Sequence, residues 1–188
     1  MQIAFYFDQS RCTGCYTCSI ACKDWHDIHD ASVHWRRVSS KEWGTYPEVF
    51  LSYLSLSCNH CERPACAKAC PVDAITKRDA DGIVVVENTT CLGKETCEML
   101  CRKACPYSVP QFGNEAGAKM QMCNFCLDRL AEHKKPVCVT ACPMRALDAG
   151  PVDVLKVKYG RAQEAAGFTC SKKTNPSIIF KPRYSTNP

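Results

Sequence analysis

CNHCERPACAKACPVDAITKRDADGIVVVENTTCLGKETCEMLCRKACP, residues 58–106, is the stretch on which the fold turns. It holds two sets of four cysteines: Cys58-x2-Cys61-x4-Cys66-x3-Cys70-Pro71 and Cys91-x5-Cys97-x3-Cys101-x3-Cys105-Pro106. The residues between them read as a strand at Ala74–Lys77, a turn through Asp79–Gly82 and a second strand at Ile83–Val86. The Asp81-Gly82 pair ahead of a β-branched run is a hairpin signal. A proline after Cys70 and after Cys105 cannot donate an N–H and restricts the cysteine before it, which favours a change of chain direction at that point.

The same grammar recurs on both sides. Upstream lies Cys12-x2-Cys15-x2-Cys18-x3-Cys22, and downstream Cys123-x2-Cys126-x11-Cys138-x3-Cys142-Pro143. Sixteen of the 17 cysteines fall into these quartets, leaving Cys170. Three corners of an iron–sulfur cubane lie close together, so one turning loop with thiolates two or three residues apart can reach them. Such a loop also turns backbone N–H groups toward the sulfurs. The fourth cysteine is directed elsewhere; in two-cluster ferredoxins the cysteine of the Cys-Pro pair ligates the other cluster. Four [4Fe–4S] clusters are therefore expected.

Quartet, hairpin, quartet is the layout of a two-cluster ferredoxin, so residues 55–112 read as one complete module. The outer quartets lack so close a partner, and the simplest arrangement nests the inner module inside an outer one formed by residues 1–54 and 113–150. Phe5-Tyr6-Phe7 is strand-like, and Ala146-Leu147 follows Cys142-Pro143 as Ala74-Ile75 follows Cys70-Pro71. Residues 151–188 complete the chain. The apolar pattern over 152–166 predicts a short helix ended by Gly167, and Ser177–Pro182 suits either an arm on another subunit or an edge strand. The expected fold class is α+β: two ferredoxin-like two-cluster modules, long loops and a C-terminal arm.

With 188 residues, one large domain or two small ones are allowed. Cysteine supplies about a fifth of the 46% hydrophobic fraction, and the modest remainder makes a thin core that calls for metal or covalent staples. The start Met1–Asp8 has no basic region, long apolar run or cleavage site, so no signal peptide is expected. Arg36-Arg37 lies too far inside for a twin-arginine leader, and Phe50–Leu56 and Ile83–Val86 are far too short to span a bilayer. The net charge of +5 does not mark a nucleic-acid binder. Its basic residues are scattered, and four thiolate-bound cubanes, each about −2, bring the total to roughly −3. Arg11, Lys23, Lys68, Arg102, Lys103 and Arg145, next to cysteines, read as compensation for that charge.

These motifs together, with Phe7–Cys15, Cys58-Asn59-His60-Cys61 and Lys134–Cys138, make the sequence resemble the iron–sulfur subunit of dimethyl-sulfoxide-reductase-type molybdopterin oxidoreductases. The resemblance implies a line of four clusters. In it, three cysteines of each quartet share a cluster with the last cysteine of a partner quartet. Carried onto this chain, the ligand sets are Cys12, Cys15, Cys18 and Cys142; Cys58, Cys61, Cys66 and Cys105; Cys91, Cys97, Cys101 and Cys70; and Cys123, Cys126, Cys138 and Cys22. The resemblance further implies a large catalytic subunit holding a molybdenum or tungsten bis-pterin near the first set. A membrane anchor or a soluble acceptor would complete the path. Quartet three departs from the family pattern, being four residues longer. A rival register, Cys91-x2-Lys94-x2-Cys97-x3-Cys101, would place Lys94 at a ligand position and suit a three-iron cluster.

Bland readings stand beside these. Paired Cys-x2-Cys units also hold structural zinc, and cysteine-rich chains also form disulfides; the Cys-Pro endings argue against both. His60 reads as a polar neighbour of a cluster, Trp25, Trp35, Trp43 and Tyr46 as packing or interface residues, Cys170 as an ordinary thiol, and Lys172-Lys173 as solvated surface. No phosphate-binding glycine loop, nucleophile elbow or open metal motif is present, so the chain is expected to be non-catalytic. Its expected role is to relay single electrons as a subunit, with a free polyferredoxin carrier and a zinc adaptor as rivals. It is expected to be soluble or peripheral at a membrane, in the cytoplasm or co-exported to the periplasm with its partner.

Overall fold

The first strand decides how the ends of the chain meet. In the computed structural model, which describes residues 1–183, β1 (Ile3–Asp8) is buried along its whole length. A strand alternates its side chains between two faces, and both faces of β1 are covered. Phe5 and Phe7 enter the main core, whereas Ala4 and Tyr6 pack with Leu155 and Ile179 on the other side. β1 is followed by α1 (Thr17–Trp25), β2 (Arg37–Thr45), β3 (Glu48–Leu56), α2 (Ala65–Lys68), β4 (Ile75–Lys77), β5 (Val84–Val86) and α3 (Leu100–Ala104). Then come β6 (Gln111–Phe112), β7 (Met120–Gln121), α4 (Leu127–Ala131), α5 (Val137–Thr140), β8 (Leu147–Pro151), α6 (Val152–Tyr159) and β9 (Ile178–Lys181).

The antiparallel pairs follow one rule. β2 pairs with β3, β4 with β5 and β6 with β7, each pair bridging two successive quartets. The fourth gap, from Cys142 back to Cys12, is closed by β8 pairing antiparallel with β1, with Phe5 opposite Ala149. The strand leading into any quartet is therefore hydrogen-bonded to the strand leaving its predecessor, in a closed ring. The predicted inner hairpin forms with each strand one residue shorter at its start than expected. Gly82 turns it with φ 70, a left-handed conformation that costs glycine least.

Two features differ from expectation, and a third decides between alternatives the sequence left open. The long segment 25–57 holds an extended hairpin, β2–β3, in register from Arg37–Leu56 to Thr45–Glu48. Helix α6 ends at Tyr159, not near Gly167, because Gly160 leaves helical geometry at φ 91 and Ala165 and Phe168 turn back into the main core. Of the two readings of the apolar tail, the edge strand is the one that forms: β9 joins β1 in parallel at the edge of its sheet, Tyr6 opposite Ile179. Residues 184–188 of the predicted C-terminal segment lie outside the described residues. Short helices and short strands are mixed throughout, and among the described residues no helix is long and apolar enough to cross a membrane.

Candidate metal centres

Each quartet opens with the same backbone turn. In Cys12-Thr13-Gly14-Cys15, Cys58-Asn59-His60-Cys61, Cys91-Leu92-Gly93-Lys94 and Cys123-Asn124-Phe125-Cys126, the third residue is left-handed, with φ of 71, 43, 92 and 64. In two of these turns the third residue's own amide faces the first cysteine. His60 N–H donates to Cys58 Sγ at 3.4 Å and Phe125 N–H to Cys123 Sγ at 3.4 Å. A second turn follows each Cys-Pro pair, with Asp73, Ser108 and Arg145 left-handed. There Ala74 N–H reaches Cys70 Sγ and Ala146 N–H reaches Cys142 Sγ, both at 3.3 Å. Cys22 has no proline after it and sits inside α1.

These turns bring the sulfurs together from distant parts of the sequence. One recess of about 340 Å³ is lined by Cys12, Cys15, Cys18 and Cys142. A second, about 370 Å³, is lined by Cys58, Cys61, Cys66 and Cys105, and a third, about 320 Å³, by Cys70, Cys91, Cys97 and Cys101. Their similar sizes fit one kind of occupant. Cys22, Cys123, Cys126 and Cys138 gather likewise: burial pushes the Cys22 thiol up, and the neighbouring Cys123, Cys138 and Cys126 push it further. Burial likewise raises Cys61 and Cys101 to about 11 and Cys66 and Cys126 to about 12. Cys123, from a different gathering, is close enough to Cys58 to add to the burial that disfavours its ionisation.

The donor set suits a sulfur-rich cluster. All seventeen cysteines are free of disulfides. Among the described residues no three of His, Cys, Asp or Glu converge closely enough for a single ion. Backbone N–H groups aimed at cysteine sulfur are what a cluster's outer shell supplies. Side chains add to them: Thr17 Oγ1 donates to Cys15 Sγ at 3.3 Å, Ser55 Oγ lies 3.4 Å from Cys18 Sγ, and His26 Nε2 lies 3.3 Å from Cys126 Sγ.

In quartet three the rival register has no geometric support. Lys94 occupies the turn position held elsewhere by Cys15, Cys61 and Cys126, but its ammonium donates to Gly113 O at 3.0 Å and Asn114 O at 2.9 Å. Cys101 joins Cys91 and Cys97 at one recess and Cys105 lines the recess of Cys58, a place the rival register gives it no part in. His60 is buried; its Nδ1 accepts from Val84 N–H at 3.0 Å, and burial, then the Lys77 charge, hold it at about 3 and so neutral. Trp25 packs under Arg129, Trp35 against His26 and Trp43 against Phe50, while Tyr46 is exposed at the hairpin tip. Cys170 Sγ is directed at Gln163 Oε1 at 3.9 Å and lines none of the three recesses.

The basic residues beside the cysteines are mostly exposed. The cation in the interior is Arg36, which nothing in the sequence pattern singles out. It is 2% exposed, with NH1 donating to Ser55 Oγ at 3.2 Å and NH2 to Ser57 Oγ at 2.9 Å. Its guanidinium carbon lies 4.6 Å from the centre of the Phe5 ring.

Comparison with known proteins agrees with this geometry. The 4Fe-4S dicluster domain family matches residues 49–152, a span that holds quartets two, three and four. The B subunit of the anaerobic dimethyl sulfoxide reductase of Escherichia coli is 46% identical over all of this sequence and 92% of its own length. The thiosulfate reductase electron transfer subunit of Salmonella typhi is 33% identical over 84% of this sequence and 80% of its own. The formate dehydrogenase iron-sulfur subunit of Wolinella succinogenes is 34% identical over 83% and 84%. With its sulfur-lined recesses and these relatives across its length, the protein belongs to the 4Fe-4S dicluster family, in the group of the dimethyl sulfoxide reductase B subunits.

Proposed function

We propose that the chain is a non-catalytic electron-transfer subunit holding four [4Fe–4S] clusters in line. The ligand sets would be Cys12, Cys15, Cys18, Cys142; Cys22, Cys123, Cys126, Cys138; Cys58, Cys61, Cys66, Cys105; and Cys70, Cys91, Cys97, Cys101. The carrying observation is that three recesses of similar size each take three cysteines from one quartet and one from another. Bound clusters supply one-electron chemistry over a range of roughly −700 to +450 mV. The polypeptide holds the thiolates, donates N–H groups to their sulfurs and keeps water from the middle of the line.

The adjacency of Cys58 and Cys123 supports a route from the Cys12 site through the Cys22 and Cys58 sites to the Cys70 site. The ends of that route are the exposed parts. Cys15 is exposed, with Tyr16 and Met144 exposed at the first recess, and Leu92 is exposed at the third. The four cysteines of the Cys22 site are all buried. Electrons would pass between a large molybdopterin subunit at the first end and a membrane-anchor or soluble acceptor at the other, in whichever compartment the large subunit resides. The ring of hairpins supports an outer module of residues 1–54 and 113–150 around an inner one of 55–112.

Iron and acid-labile sulfide analysis of anaerobically purified protein tests this reading. About 16 iron atoms per chain are expected, with paramagnetic signals on reduction; a zinc-loaded or colourless folded protein overturns it. The β9 strand, being part of the chain's own sheet, does not speak against a free polyferredoxin carrier. Fixed stoichiometric co-purification with a large subunit supports the subunit reading, and its absence supports the carrier.

A further inference from the structure

We infer that Arg36 is a built-in electrostatic positioning residue that sets the potentials of the two centres of the outer module, the Cys12 and Cys22 sites and hereafter the outer centres, by holding one fixed positive charge between them. The inference rests on the reading above, and it begins from an anomaly. A buried charge normally has an opposite charge beside it, yet among the described residues no salt bridge reaches Arg36. Its hydrogen bonds go to neutral serines, and its Nε is a buried donor without a partner.

What surrounds it is sulfur. Ser55 Oγ, which accepts from the guanidinium, lies 3.4 Å from Cys18 Sγ, and against the burial that raises the thiols of Cys18, Cys123 and Cys138 the Arg36 charge favours their ionised form. The same charge also acts on Cys22. Cys18 belongs to the first sulfur set, and Cys22, Cys123 and Cys138 belong to the neighbouring one. The missing counter-charge is thus the negative charge of two thiolate-held centres, one on each side.

The side chain is held where that charge counts. Ser55 and Ser57 fix the guanidinium from the end of the β2–β3 hairpin, Ser19 Oγ donates to Arg36 O at 2.7 Å, and Phe5 closes one face. An electron moving between the two centres oxidises one by one unit and reduces the other by one unit, with no proton moved and no bond broken. A fixed cation between them favours the electron-rich form on either side. It raises both potentials together and keeps the electron from being trapped outside the pair.

The test is a redox titration of the full-length chain carrying its clusters, followed by paramagnetic resonance. Arg36→Met should lower the midpoints of the two outer centres, a shift of roughly tenfold in the reduced-to-oxidised ratio, equivalent to about 59 mV for one electron. The Cys58 and Cys70 sites should be unmoved, and Arg36→Lys, which keeps the charge, should stay near wild type. Unchanged outer midpoints in Arg36→Met, or an equal fall at all four sites, overturns the inference. If Arg36→Met does not assemble, Ser57→Ala decides: loosening the guanidinium should give a smaller fall confined to the outer pair, and no shift overturns the proposal. Absence of clusters in the wild type, by contrast, would overturn the four-cluster reading itself.

Discussion

Lys94 shows how a residue can keep the place of a ligand and lose the role. The turn that carries it has the same left-handed third residue as the other three openings, Gly93 at φ 92, so the backbone keeps its shape while the ammonium is tied to carbonyls of residues 113 and 114. The four additional residues let Cys97 replace it, at the expense of two successive left-handed residues, Glu98 and Met99. Cys97→Ser should therefore cost the Cys70 site one iron and produce a three-iron signal in the oxidised protein, whereas Lys94→Ala should leave iron content and spectrum alone. A three-iron signal already present in the wild type would restore the rival register. The sixteen cysteines were legible in sequence because cluster geometry fixes their spacing. Arg36 was not, since a charged residue ordinarily marks the surface, and nothing local records that sulfur from four distant positions surrounds it.

At the scale of elements, the inner hairpin could be read because Asp81-Gly82 announces its turn. The β2–β3 hairpin could not: its tip is Tyr46-Pro47, and the strand behind it buries serines, Ser52 and Ser55, where a sequence reading expects alternating apolar residues. The end of α6 was misplaced because Ala165 and Phe168 fit a helical pattern but are claimed by the core. That helix is pinned by Asp148 on β8, which accepts from Tyr159 Oη at 2.8 Å and pairs with Lys135 at 3.0 Å and Lys158 at 3.3 Å. Burial raises the Asp148 carboxyl, but the hydrogen bonds from Lys135, Tyr159 and the Ala149 N–H outweigh it and hold it at about 2. A depressed carboxyl stabilises the fold above its unfolded value of about 3.9, and that contribution is lost as pH falls toward 2. Asp148→Asn should thus cost about 1 kcal/mol near neutrality after solvent screening. The gap to wild type in denaturant titrations should close between about pH 4 and pH 2; a gap independent of pH would remove the charge from the account.

Across the whole molecule, half of the proposed ligands are also residues of the main core. Eight cysteines, Cys18, Cys58, Cys66, Cys91, Cys101, Cys123, Cys138 and Cys142, are buried members of the main core cluster. Stripping iron with a chelator under reducing conditions should accordingly lower the thermal midpoint by on the order of 10 °C or more and expose dye-binding apolar surface. An unchanged midpoint would mean that the apolar residues alone suffice. The ring of hairpins also has a consequence in time. On a chain emerging from the ribosome, every sulfur lining the recess of Cys58 is present once residue 105 is out, and the same holds for the recess of Cys70. The recess of Cys12 must wait for Cys142. Synthesis order thus makes the middle of the polypeptide the first part able to mature, with its oldest cysteines left waiting for some of its youngest.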